Sequence, residues 1–151
     1  MSKYDIPKSK GYYVLFIKVG KTCRITTRSG RIFNIKPGIY IYLGSALGKG
    51  GLYSRIMRHL GKRKKLFWHI DYLLTCRQAE IIDYLIIECS RNKCFDYESF
   101  LSRTLTNVLE PIKGFGCSDK PKDLSHLFYC GKTIQKCKSI IEEIITKINP
   151  T

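Results

Sequence analysis

Residues 38–60 read GIYIYLGSALGKGGLYSRIMRHL. The run Ile39–Leu43 is apolar, aromatic and β-branched and stops at Gly44, the pattern of a strand. A glycine-rich bend follows through Gly48, Gly50 and Gly51. From there the period changes. At about 100° per residue Leu52, Ile56 and Leu60 share one stripe, while Arg55, Arg58 and His59 cluster on a neighbouring one. Gly61 is placed to end that helix. Strand, bend and amphipathic helix in this order set the class as α/β.

Upstream, residues 12–19 (YYVLFIKV) lie between Gly11 and Gly20 and predict a strand buried on both faces. Residues 22–27 (TCRITT) and 31–35 (RIFNI) flank Arg28-Ser29-Gly30 and predict a hairpin. With the strand at 39–43 these make an antiparallel meander, and residues 1–10 read as a flexible N-terminus. Downstream, WHIDYLL (68–74) predicts one or two helical turns and residues 80–89 a further strand. Asp96 is a good N-cap for a helix to about Leu109, with Leu101, Leu105 and Val108 inward. KGFGCSDKPKD (113–123) is a loop, 125–130 a short strand and 133–148 a last helix with Ile134, Cys137, Ile141, Ile144 and Ile148 on one stripe. The expectation is one small domain over residues 1–151, a mainly antiparallel sheet flanked by helices.

The chain has 151 residues, 44% of them apolar and 26% charged, which is ordinary globular composition and argues against a disordered basic tail. Its net charge of +15 is unevenly placed. Residues 1–65 hold 16 Lys and Arg against Asp5 alone, whereas residues 66–151 hold 11 of each sign. Such an excess points to a polyanion, nucleic acid before membrane. The longest apolar runs, Tyr12–Ile17 and Ile39–Leu43, fall far short of the roughly 20 residues that span a bilayer. The N-terminus MSKYDIPKSK lacks the apolar stretch of a signal peptide. The expected location is therefore cytoplasmic, without a membrane partner.

Seven cysteines, an odd number with no C-x-x-C, indicate neither a closed disulfide framework nor a zinc ribbon. Most read as small buried hydrophobes. Cys89 with Cys94, or Cys117 with Cys130, are the pairs that could close a disulfide if the protein works in an intracellular setting that permits them.

Tyr42-Leu43-Gly44-Ser45-Ala46 at a strand end, the glycine bend, and Arg55-x-x-Arg58-His59 on the helix together resemble the GIY-YIG nuclease superfamily. With WHIDYLL, GFG-x-SD (114–119) and SHLFY (125–129), the chain looks like one branch of it, the small proteins with a GIY-YIG-like domain called DUF123. The match runs from Gly11 to about Tyr129. The literal Gly38-Ile39-Tyr40 shares a strand with Tyr42, so Gly11-Tyr12-Tyr13 is the better first half-motif, and the hairpin of residues 22–35 becomes an insertion between the halves. Tyr13 and Tyr42 are then the expected pair, with Tyr40 as a substitute on the same sheet face.

The resemblance implies roles. Arg55 matches the superfamily's catalytic arginine and His59 the histidine one turn later, an i, i+4 pair on one helix face. Glu98 stands out independently of any family: it falls inside the apolar arc of its helix, about 60° from Leu101, and a carboxylate aimed at the core needs a partner. That partner is the helix N-terminus or an arginine, or, as the superfamily implies, a divalent Mg or Mn ion. Lys49, Arg58 and the run Lys62, Arg63, Lys64 and Lys65 are expected to grip flanking phosphates. His69 and Asp71 divide between a structural hydrogen-bonded pair and support of the site. Asp119 and His126 lie near the end of the motif series, and Ser118, Asp119 and Ser125 are candidates for a late polar residue closing the site. The branch often carries a cysteine pair after SD, where this chain has Lys120-Pro121-Lys122.

The expected function is a metal-dependent endonuclease acting on nucleic acid, DNA before RNA. The alternative is a binding module of the same fold without cleavage. Surface aromatics are too few in the sequence to suggest a stacking platform for bases.

Overall fold

A computed structural model describes residues 5–61, 65–89 and 94–148. The chain runs through β1 (Gly11–Val19), β2 (Cys23–Thr26), β3 (Ile32–Ile35), β4 (Gly38–Ala46), α1 (Gly51–Leu60), α2 (His69–Leu74), β5 (Ala79–Glu88), α3 (Tyr97–Thr106), β6 (Glu110–Pro111), β7 (Leu127–Gly131) and α4 (Ile134–Ile148). Five strands form one antiparallel sheet in the order β5-β1-β4-β7-β6. It is an α/β domain with helices on both faces.

The apolar density of β1 and β4 explains their central place. Strands buried on both faces read as continuous hydrophobic runs. Tyr13, Leu15 and Ile17 face a core with Leu52 and Ile56 of α1, Ile70 and Leu73 of α2, and the β2–β3 hairpin. Tyr12, Val14 and Phe16 face a second core built with Leu101 and Leu105 of α3 and with Cys137 and Ile141 of α4.

The meander does not form. β1 pairs directly with β4 from Gly11↔Ala46 to Val19↔Gly38 and with β5 on its other edge, so it has no edge left for the hairpin. β2 and β3 make a separate two-stranded sheet, and the hairpin is an excursion between neighbouring strands. α3 also ends early, at Thr106, which leaves Val108 60% exposed rather than inward. The two-residue strand β6 is too short to leave a periodic signature. Of the N-terminal ten residues, those described are tied down: Ile6 is buried, and the carbonyls of Pro7, Ser9 and Lys10 accept from Tyr53, Leu52 and Cys89.

The cysteine reading is corrected in part: of the two pairs named from the sequence Cys89–Cys94 closes, while Cys117–Cys130 does not. Three pairs close among the described residues, Cys23–Cys76, Cys89–Cys94 and Cys130–Cys137, and Cys117 is buried and left over. An odd count is compatible with three bridges and one spare thiol. Cys130 meets Cys137 because α4 turns back over β7 within seven residues. No helix of the described residues is long and apolar enough to cross a membrane.

Candidate active site

Tyr13 pairs with Gly44 across the β1–β4 ladder, two positions along from Tyr42, so the two rings lie diagonally on one sheet face. Gly44 is needed for this: a Cβ there would come within 2.1 Å of Tyr13 Cζ, so the ring can cross the strand only over a glycine. Both tyrosines are buried. Burial raises their pKa values, and the nearby Arg55 charge only partly offsets it. Tyr40 shares the face, but its hydroxyl donates to the Lys36 carbonyl at 2.7 Å and its ring packs on Tyr129.

The helical period of α1 brings Arg55 and His59 to these tyrosines. Tyr13 Oη and His59 Nε2 are 2.7 Å apart, and His59 is buried. With the imidazole hydrogen on Nδ1, the phenol donates to Nε2. The Arg55 guanidinium lies 4.2 Å from the centroid of the Trp68 ring and donates to the Ser45 carbonyl at 3.1 Å. Arg58 sits at 4.3 Å from the same ring but is fully engaged elsewhere: its Nη1 and Nη2 donate to the Asp71 carboxylate at 2.7 and 2.9 Å. Asp71 is wholly buried and also accepts from the Phe67 and Trp68 amides at 2.9 and 2.8 Å. Burial works against its charge, yet Arg58 and those amides hold its pKa below the usual range. Asp71 is thus structural through Arg58 and two amides rather than as a pair with His69, whose Nδ1 accepts from Gly116.

Glu98 reaches the same place from the other layer. Asp96 caps α3 by accepting from the Ser99 amide at 3.1 Å, which puts Glu98 in the first turn, 7% exposed. Its partner is a cation, but not an arginine: Lys120 Nζ lies 2.8 Å from Oε1 and also 3.1 Å from Asp96. Burial disfavours the Lys120 charge, and the two carboxylates more than restore it, raising its pKa. On the far side His126 Nδ1 stands 3.7 Å from Glu98 Oε2, while its Nε2 meets Asp123 at 2.8 Å.

Tyr13, Tyr42, Gly44, Ser45, Arg55, Trp68, Glu98, Gly116 and Asp119 surround one cavity of about 60 Å³. That space holds a few waters or the oxygens of one phosphate, not a base. Its floor is set by Gly116, whose φ of +75° suits glycine and whose amide donates to His69 Nδ1 at 2.8 Å. Burial, then the Arg31 charge, lowers the His69 pKa. A larger apolar groove between α3 and α4, lined by Phe100, Val108, Ile140 and Ile144, gathers no comparable set of reactive groups.

Could this site hold a divalent ion? Among the described residues no group of three His, Cys, Asp or Glu side chains gathers around one point. Magnesium, however, keeps most of its waters and needs only one or two carboxylates beside a substrate phosphate. Glu98 and Asp119 both line the cavity and are the carboxylates that would serve, with the Lys120 ammonium as the competitor for Glu98 Oε1.

Of the residues expected from the sequence, Tyr13, Tyr42, Arg55, His59 and Glu98 come together. Lys49 and Lys65 are exposed outside the cavity, Arg58 is held by Asp71, and Lys62, Arg63 and Lys64 lie outside the described residues. Ser118 is exposed and Ser125 is buried against the Leu127 carbonyl, whereas Asp119 lines the cavity. The sequence reading missed Trp68, the only tryptophan, and Lys120. The first stood in plain view as an aromatic just after a basic run; the second gave no signal beyond its place in a turn-rich loop.

A family model described as a domain of unknown function, DUF123, matches residues 12–149. Comparison with curated proteins and with solved structures finds no match.

Proposed function

The chain belongs to the DUF123 family, and from that premise and the geometry above we propose that it is a metal-dependent endonuclease hydrolysing phosphodiester bonds in nucleic acid, DNA before RNA. The observation that carries the reading is the convergence of two buried tyrosines, an arginine and a carboxylate, from both layers of the fold, on one cavity of phosphate size, with His59 hydrogen-bonded to one of the tyrosines behind it.

The proton path follows from the Tyr13–His59 contact. A buried phenol with a raised pKa is a poor base alone. Hydrogen-bonded to Nε2, it can pass its own proton to the imidazole as it takes one from an attacking water, so His59 is the final acceptor. Tyr42 shapes the other wall. Arg55, stacked on Trp68 and fixed by the Ser45 carbonyl, faces the charge that develops on the pentavalent phosphate. Glu98 and Asp119 would hold Mg or Mn, which when bound supplies further neutralisation of that charge. Lys49, Lys65 and the run at residues 62–64 supply the sequence-independent attraction to the backbone.

The test is cleavage of labelled duplex, flapped, branched and single-stranded DNA and of matching RNA with Mn, by wild type, Arg55→Ala and Glu98→Gln. Wild type should cut at least one substrate and the two substituted proteins should not, while Glu98→Gln binds like wild type and Arg55→Ala loses no more than its one phosphate contact. If wild type cuts no more than Arg55→Ala and Glu98→Gln do, and binding is preserved, the chain is a nucleic-acid-binding module instead.

A further inference from the structure

Phe67 is 74% exposed, more than any other large apolar side chain among the described residues. Exposure alone means little on a protein surface. What sets Phe67 apart is how rigidly it is presented. Its amide and that of Trp68 both donate to the buried Asp71 carboxylate, and Arg58 Nη2 holds the Lys65 carbonyl at 2.9 Å. The segment is pinned at three backbone groups. The ring stands edge-on to Trp68, centroids 5.7 Å apart and planes at 86°. Trp68 is itself a wall of the cavity and carries the Arg55 guanidinium.

An aromatic ring is thus held in water one side chain away from the proposed phosphate position, with Arg55 on the other side of the shared Trp68 contact and the exposed Lys65 two residues before it. Cationic groups and a rigid aromatic together are what a nucleotide with an uncovered base face needs. In continuous duplex each base face is covered by its neighbours, so only an unpaired or displaced base can stack there. We propose that Phe67 stacks such a base beside the phosphate bound at Arg55, and that the preferred substrates carry an unpaired nucleotide next to the bond that is cut. The proposal rests on the nuclease reading only in placing a phosphate at Arg55.

Binding without divalent metal separates the two. A single strand containing one 2-aminopurine, a bubble with the same base, and the fully paired duplex would be titrated with wild type, Phe67→Ala and Phe67→Trp at fixed salt, read by 2-aminopurine quenching and anisotropy. Phe67→Ala should lose about tenfold in affinity for the strand and the bubble and change little on duplex, with Phe67→Trp restoring the loss. The salt slope should be the same for all three, since no charge is altered. Equal losses on paired and unpaired DNA, no loss at all, or no binding of nucleic acid by wild type would each overturn the proposal. Stacking contrast without cleavage would sink the nuclease reading alone; cleavage without the contrast would sink this one alone.

Discussion

Arg55 and Arg58 are three residues apart on one helix and lie at nearly the same distance, 4.2 and 4.3 Å, from the same indole ring. Their circumstances are opposite. Arg58 forms a two-pronged bond with a carboxylate that has no exposed surface and that also anchors two backbone amides. Among the described residues Arg55 is paired with no carboxylate; it meets a backbone carbonyl and faces the cavity. One guanidinium is committed to holding a loop and a helix together, the other is presented to the cavity beside two phenols. Residue type and helix face therefore do not separate a structural arginine from one presented to a ligand. What separates them is whether a buried carboxylate lies within reach.

The comparison breaks most visibly at Asp71. Asp71→Asn leaves Arg58 half-buried without its counter-charge, and removing one partner of a buried pair costs roughly 3–5 kcal/mol, with the lower end expected because Arg58 is 27% exposed. Chemical denaturation should report that loss. Arg55→Met should do the reverse: about 1 kcal/mol or less in stability, but a hundred- to thousandfold fall in the cleavage rate, the scale of one lost donor to a developing anion. If Arg55→Met unfolds the protein while Asp71→Asn is tolerated, the two roles have been assigned the wrong way round.

Lys120 sharpens the same contrast on the carboxylate side. Glu98 is paired with a lysine that reaches it from a loop, a bond a metal ion can replace, whereas Asp71 is held by the fork of an arginine. Lys120→Met should raise the affinity for Mn by about tenfold, the scale of one hydrogen bond between charged groups. Trp68 borders the cavity and is the only tryptophan, so its fluorescence can follow the titration. Unchanged Mn affinity would mean that the ion does not bind at Glu98.

Local pattern carried the elements that bracket the site. The apolar run of β4, the stripe of α1 and the inward angle of Glu98 are properties of short segments and stand where the sequence put them, although β4 continues past Gly44 to Ala46. What escaped were contacts between distant segments. Arg58 reads as a solvated basic residue until α2 folds back and brings Asp71 to it. Lys120 and Glu98 are 22 positions apart and meet only through the loop before β7. A hairpin has the same local signature whether or not it joins the main sheet, and Cys23 and Cys76, 53 residues apart, become neighbours only in the fold, whereas the local pair Cys89–Cys94 was within reach of the sequence. Val108 failed for a different reason: Asn107 is a weak stop, and the apolar period continued past the point where the helix ended.

The smallest expected effect couples the two regions through His69. It sits on α2 with Asp71, yet its Nδ1 accepts the Gly116 amide that forms part of the cavity wall. Its ring lies against Phe33 and Phe115, with the Arg31 charge nearby, and its pKa is lowered from 6.5. A folded pKa below the unfolded one contributes stability that is complete above pH 6.5 and is lost as pH falls through the folded value. Protonation would also set a hydrogen on Nδ1 against the Gly116 N–H. Asp71, lowered from 3.8, adds a separate loss only in stronger acid. Thermal unfolding of wild type should therefore decline as pH is taken down from 7.5 past 6.5, well before the carboxylate range. His69→Gln should flatten that part of the profile and leave the loss below pH 3.8 in place. A wild-type profile that stays level until the carboxylates titrate would mean that His69 does not hold Gly116, and that the cavity wall is fixed independently of α2.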